Sequence, residues 1–249
     1  MMGQPYLLEV AGITVSFDGF KAVDNLSFSV DNDEIRAVIG PNGAGKTTLL
    51  DLISGKTQPT EGQVKFKGEP ITGLKEHEIV HAGVGRKFQT PSVYEELTVF
   101  ENLEMAYPSS RSWYGAWRFR RTKEVTERVH EIAELVHLAD HLHERAESLS
   151  HGQKQWLEIG SLLIQDPELL MLDEPVAGMS VHEREQTAEL LGTLCDGRSV
   201  VVVEHDMQFV ARIAHKVTVL HQGKLLAEGK MEAVQSDPKV IEVYLGHGS

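Results

Sequence analysis

The chain has 249 residues, 41% apolar and 24% charged, with a single cysteine at Cys195; this suits a globular chain with a sizeable core and excludes collagen-like, disordered and disulfide-framed classes. A formal net charge of −13 leaves no excess of lysine and arginine to neutralise phosphates, so nucleic acid is not an expected partner. The longest aliphatic run, Val200 to Val203, is far short of the roughly 18 apolar residues of a membrane span, and Met1-Met2-Gly3-Gln4-Pro5 has no signal-peptide pattern, so a cytoplasmic protein is expected.

Leu7 to Val10, Leu26 to Val30 and Val64 to Phe66 are short β-type runs suited to an antiparallel sheet. Between the second and third, Ile35 to Ile39 reads as a buried strand running into Gly40-Pro41-Asn42-Gly43-Ala44-Gly45-Lys46-Thr47. That octapeptide matches the phosphate-loop pattern G-x-x-x-x-G-K-[ST] in full, and Thr47 to Ser54 reads as the helix that follows. Gly40, Gly43 and Gly45 let the backbone curl so that successive N–H groups face phosphate oxygens. The helix start adds its unpaired amides and positive dipole end. Lys46 supplies a mobile cation for the β and γ phosphates, and the Thr47 hydroxyl suits Mg²⁺. A nucleoside triphosphate is the expected ligand.

Residues 91 to 166 are helical in pattern. Thr98 and Glu101 have capping-box spacing at the start of Val99 to Ala106, and Val125, Val129, Ile132 and Val136 form an apolar stripe. Between these segments, Arg111, Arg118, Arg120, Arg121 and Lys123 are interleaved with Trp113, Tyr114, Trp117 and Phe119, with no acid. On so acidic a chain this stretch reads as membrane-proximal or amphipathic rather than as a nucleic-acid footprint. His137, His141 and His143 lie close together, but no obvious carboxylate or cysteine set completes a metal site, and they read as surface histidines. Ser150 and Gln153 have capping-box spacing ahead of the helical run Lys154 to Gln165, giving a second helix start able to face an anion.

Leu169-Leu-Met-Leu-Asp173-Glu174 is an apolar strand ending in two carboxylates. In a parallel sheet such an end opens on the ligand crevice. Asp173 is placed to hold Mg²⁺, and Glu174 is the candidate general base that polarises an attacking water. Val200 to Val203 and Val217 to Leu220 return to sheet, and His221-Gln-Gly-Lys reads as a hairpin into Leu225 to Ala227.

In this order the motifs resemble the ATP-binding subunit of ABC transporters, whose signature runs Leu-Ser-Gly-Gly-Gln and here reads Leu149-Ser-His-Gly-Gln153. The resemblance covers the whole chain. It implies an α/β P-loop NTPase of the ABC ATPase fold, with a RecA-like mixed sheet core, an antiparallel β subdomain and an inserted helical subdomain. The implied catalytic lobe comprises residues 1–90 and 167–249, with a helical signature lobe at 91–166. It further implies that Phe17 stacks on adenine and that Pro41, Asn42, Ala44 and Thr48 complete the nucleotide-binding loop. Gln89 would touch Mg²⁺ and sense the membrane partner, and His205 would contact the γ-phosphate. Ser150, Gly152 and Gln153 would bind the ATP held by a second ATP-binding subunit, so that hydrolysis needs a dimer. Two membrane-spanning permease subunits and, indirectly, a solute-binding protein complete the implied assembly on the cytoplasmic face of the membrane.

His151 departs from the first signature glycine, and Ser180 stands where the D-loop usually has aspartate. Within the family, Gly85-Arg-Lys-Phe-Gln-Thr-Pro-Ser-Val-Tyr and the signature region are most similar to importers of the branched-chain amino-acid class, closest to its urea-importer subunit. Urea uptake is therefore the expectation, with branched-chain or other amino-acid import as the alternative, and a non-transport ABC ATPase behind it.

Overall fold

The computed structural model describes residues 6–87, 93–108 and 122–245. They fall into two compact units, one comprising residues 1–86, 168–175 and 191–249, the other residues 87–167 and 176–190. The expected catalytic lobe took in all of 167–249; residues 176–190 instead belong with the helical residues. The buried hydrogen bond from Trp156 Nε1 to Thr187 Oγ1, 2.9 Å long, ties that segment there.

The first unit holds two sheets. Strands β1 (Leu8–Phe17), β2 (Phe20–Val30), β4 (Glu61–Phe66) and β5 (Glu69–Pro70) form an antiparallel sheet in the order β2-β1-β4-β5. The other sheet runs β10-β9-β3-β8-β7-β6, from β3 (Ile35–Ile39), β6 (Val84–Arg86), β7 (Leu169–Asp173), β8 (Ser199–Val203), β9 (Lys216–His221) and β10 (Lys224–Gly229). All its neighbouring pairs are parallel except β9 with β10, which are joined by the tight turn at Gln222 and Gly223, both with positive φ. The expected antiparallel subdomain and mixed core are both present; β1 runs past the apolar Leu7 to Val10 stretch through buried Ile13, Thr14 and Val15, and β2 begins well before Leu26, at exposed Phe20 and Lys21.

Strands β3, β7 and β8 are buried along their whole length, as expected of strands covered on both faces. Alternation divides the side chains of β3 between two cores, and Leu169 and Met171 of β7 join the larger. Val38, Val201 and Val203 join the larger core with Leu49 and Ile53 of α1 (Lys46–Ile53). Ala37, Ile39, Val217 and Val219 face the smaller one, which is closed by Val210 of α7 (Met207–Ile213), Met231 and Val234 of α8 (Met231–Ser236) and Val240 of α9 (Pro238–Leu245). Helix α2 (Glu76–Ala82) sits on the larger core through Ile79.

The second unit is helical. Its helices are α3 (Val99–Ala106), α4 (Lys123–Leu135), α5 (His151–Leu163) and most of α6 (Val181–Leu194). Thr98 caps α3 in a full capping box with Glu101, as its spacing predicts, and the Val125, Val129, Ile132 and Val136 stripe is buried. Three helices meet at Gly160: a β-carbon there would lie 3.1 Å from Leu103 Cδ2 and 3.3 Å from both Ile132 Cγ2 and Val136 Cγ2. Any larger residue would push them apart. The basic-aromatic stretch lies almost wholly outside the described residues; only Lys123, its last member, falls within them, opening α4.

Candidate active site

The parallel sheet decides what comes together. β8 lies between β3 and β7, and parallel strands bring their C-terminal ends to one edge. The phosphate loop leaves β3, the Asp173-Glu174 pair ends β7, and Glu204 and His205 follow β8. Three segments, the first more than a hundred residues before the second and the second about thirty before the third, thus open on one side of the sheet.

The loop is shaped by its glycines. Gly45 is the N-cap residue of α1 with φ 100°, and a β-carbon there would come 2.7 Å from the Ala22 carbonyl. At Gly40 a β-carbon would overlap the Leu220 carbonyl. Gly43 has open space around it, so its φ of 78° alone explains the residue. Lys46 Nζ donates to the carbonyls of Gly40 (2.7 Å) and Pro41 (3.0 Å), curling back over the loop. Burial holds its ammonium below the usual lysine range, against the opposing pull of Glu174 and Asp173. A half-buried cation inside a curl of glycines, at the start of an uncapped helix, is a cradle for phosphate.

Asp173 is buried, 4% exposed. Glu174 turns away from the strand with a positive φ of 48°, uncommon for a residue with a side chain, while its N–H still donates to Val203 O at 2.9 Å. That turn leaves its carboxylate exposed and 3.6 Å from His205 Nδ1. Glu204 Oε2 lies 3.8 Å from the same Nδ1 and accepts the His205 backbone N–H at 3.0 Å. Glu204, 1% exposed, is a site residue that the sequence analysis passed over; it stands in the Val200-Val-Val-Val-Glu-His string, at the point where an apolar strand meets a charge. Asp206 then caps α7, accepting from Gln208 N and Phe209 N.

Phe17 is exposed beside Phe20 at the turn between β1 and β2. That hairpin reaches the phosphate loop at Ala22, two residues beyond Phe20, through the Gly45 contact. Gln89 lies outside the described residues. Thr47 and Asp173 are oxygen donors suited to a hard cation, and among the described residues no group of three His, Cys, Asp or Glu could hold a metal alone. The two oxygen donors fit Mg²⁺, which takes few protein ligands and shares its shell with phosphates and water.

In the second unit, Ser150 caps α5 in a full capping box: its Oγ accepts from Gln153 N, and Gln153 Oε1 accepts from Ser150 N at 2.8 Å. The Gln153 amide also donates to His141 Nε2 at 3.0 Å, so the His141 proton sits on Nδ1 and points to Glu144 Oε2, also at 3.0 Å. One of the surface histidines therefore orients the signature glutamine. His151 packs on the segment before α6: its Nε2 donates to Ala177 O at 3.1 Å, and a β-carbon on Gly178 would come 3.0 Å from His151 Cδ2. Ser180 caps α6 in a box with Glu183. The Ser-x-x-Glu spacing was legible in the chain, and the sequence analysis assigned no helix to it.

The fold and the loop define a P-loop nucleotide-hydrolysing protein carrying a second, signature-type helix start. Residues 23–177 match the ABC transporter family, and residues 224–249 match the C-terminal family of branched-chain amino acid ATP-binding cassette transporters. The chain is 37% identical over 98% of its length to the high-affinity branched-chain amino acid transport ATP-binding protein BraF of Pseudomonas aeruginosa, covering 99% of that protein. It is 36% identical, with the same coverage, to LivG of Escherichia coli, which is named for the same transport. The ADP conformation of MJ1267, an ATP-binding cassette of an ABC transporter, superposes with a TM-score of 0.87 at 32% identity, over 97% of this chain and 99% of that one.

The chain belongs to the ABC transporter ATP-binding family and is an ATPase of that family. Among the described residues no helix is long and apolar enough to cross a membrane. BraF and LivG are branched-chain amino acid transport proteins, and nothing in these similarities supports urea.

Proposed function

We propose that the chain is the ATP-hydrolysing subunit of an importer for branched-chain amino acids or close analogues, acting on the cytoplasmic face of a membrane. Its partners would be a second ATP-binding subunit, two membrane-spanning permease subunits and, indirectly, a solute-binding protein. The observation that carries the reading is the pair of incomplete sites on one chain. One unit has a phosphate cradle with a carboxylate–histidine pair; the other has a capped helix start with Ser150, Gly152 and Gln153 but no phosphate loop. A dimer supplies each with its complement.

In this reading Gly40, Pro41, Asn42, Gly43, Ala44, Gly45 and Thr48 wrap the phosphates, and Lys46 leaves its backbone carbonyls to bind them. Thr47, Asp173 and Gln89 would hold Mg²⁺, which would supply positive charge against the phosphates. Phe17 stacks on adenine. Glu174 accepts a proton from the attacking water, and His205 orients Glu174 and meets the γ-phosphate. Residues 1–86, 168–175 and 191–249 serve as the catalytic lobe, and the remainder as the signature lobe. ATP binding favours the closed dimer and hydrolysis releases it, a two-state bias passed to the permeases.

The test is purification of the tagged chain from native membranes, with identification of what accompanies it, followed by uptake assays in cells lacking the chain. Two multi-span proteins, a second ATPase and a specific loss of labelled leucine or valine uptake are expected. Recovery of ribosomes or nucleic acid, or loss of urea uptake with amino-acid uptake intact, would overturn it.

A further inference from the structure

Ser150 has one hydroxyl proton, and it is already engaged. Ser150 Oγ donates to Glu183 Oε1 at 3.0 Å. The same carboxylate lies over Gly152, where a β-carbon on that glycine would overlap it. Its other oxygen accepts from both Ser180 N and Ser180 Oγ at 2.8 Å. One side chain thus ties the first turn of α5 to the first turn of α6, within one unit. These hydrogen bonds, led by the Ser180 N–H, hold the Glu183 carboxyl below the usual carboxylate range, so the group is anionic at neutral pH.

A carboxylate and a phosphate oxygen cannot both take the single Ser150 proton, and two anions against the same helix turn repel. We propose that Glu183 is an internal anion that occupies the signature helix start until nucleotide phosphate displaces it, and that it thereby sets the ATP concentration needed for closure. This rests on the reading that Ser150 and Gly152 meet the nucleotide of a second subunit. Glu183 is a positioning residue: it acts through Ser150 and touches no reacting atom. When Ser150 is taken by phosphate, Glu183 keeps only Ser180, so occupancy of the signature is felt at the start of α6.

The test uses the full chain carrying Glu174→Gln, which keeps bound ATP intact, alone and mixed with the ATP-binding chain that accompanies it in membranes. Association is read by light scattering across an ATP–Mg²⁺ titration. Glu183→Gln keeps the length and an acceptor for Ser180 but removes the charge, and it lowers the half-saturating ATP about tenfold. A purely structural role for Glu183 would raise it instead. In a Ser150→Ala background the gain shrinks to the part that like-charge repulsion supplies, because the contested hydroxyl is gone. An unchanged or raised ATP requirement in Glu183→Gln, or a gain undiminished without the Ser150 hydroxyl, overturns the gate while leaving the shared nucleotide site standing. Absence of ATP-dependent association in every combination overturns the shared site and the gate together.

Discussion

Glu174 Oε1 and His205 Nδ1 lie 3.6 Å apart although the residues are 31 positions apart in the chain. They meet because β7 and β8 are parallel neighbours in register from Leu169 with Ser199 to Asp173 with Val203. The left-handed backbone at Glu174 swings the carboxylate off the strand line and towards the imidazole. Strain of this kind costs of order 1–3 kcal/mol and persists where the surroundings over-determine it; here the Glu174 N–H bond to Val203 does so.

Glu174→Gln should therefore bind ATP at near wild-type affinity and lose about a hundredfold or more in turnover, the usual cost of removing a general base. Phosphate release measured beside equilibrium nucleotide binding checks the split. Full turnover in this variant would mean that another group takes the proton.

Lys46→Ala acts earlier. The Lys46 ammonium is the one basic side chain in the phosphate curl among the described residues, donating to Gly40 and Pro41. A charge-assisted bond contributes about 1.5–3 kcal/mol, so ATP should bind at least about tenfold more weakly. Titration with a fluorescent ATP analogue reads this without any turnover.

Arg36 offers a stability test away from the chemistry. Its fully buried guanidinium lies 2.7 Å from Glu34, an ion-pair contact outside hydrogen-bond geometry, and 2.8 Å from Glu228, and it donates to Thr218 Oγ1 and the Ser29 carbonyl. Arg36→Ala leaves Glu34 buried without that partner, which costs about 3–5 kcal/mol. A clear drop in the thermal midpoint is expected, and a shift of under a degree would show that the cluster contributes little.

Burial pushes the Cys195 thiol up to about 11, with Asp33, Glu34 and Asp196 acting in the same direction. Thiolate is the nucleophile, so at pH 8 the folded chain should be alkylated about a hundredfold more slowly than the unfolded chain, whose thiol ionises some two pH units lower. The sign for stability follows: between pH 9 and 11 the unfolded thiol has ionised and the folded one has not, so rising pH favours unfolding. Iodoacetamide labelling in buffer and in denaturant checks the rate.

Much of the site was written locally. The eight residues from Gly40 to Thr47 specify a phosphate loop because curl, helix start and cation are consecutive, and the capping boxes at Thr98 and Ser150 specify helix starts because both partners lie within one turn. Contacts between distant segments were not legible. Nothing near Ser150 announces that Glu183, 33 residues on, accepts its hydroxyl hydrogen bond. Nothing in an apolar run ending in two acids reveals that Asp173 is buried while Glu174 turns out with positive φ.

By itself, then, the sequence determined what depends on neighbours along the chain: loop, caps, buried strands, and through their order the family. Only the tertiary structure decided which carboxylate faces His205, which segment residues 176–190 join, and that a glutamate fills the signature. Strand order and helix packing set those distances, and both arise from burial shared among segments far apart in the chain.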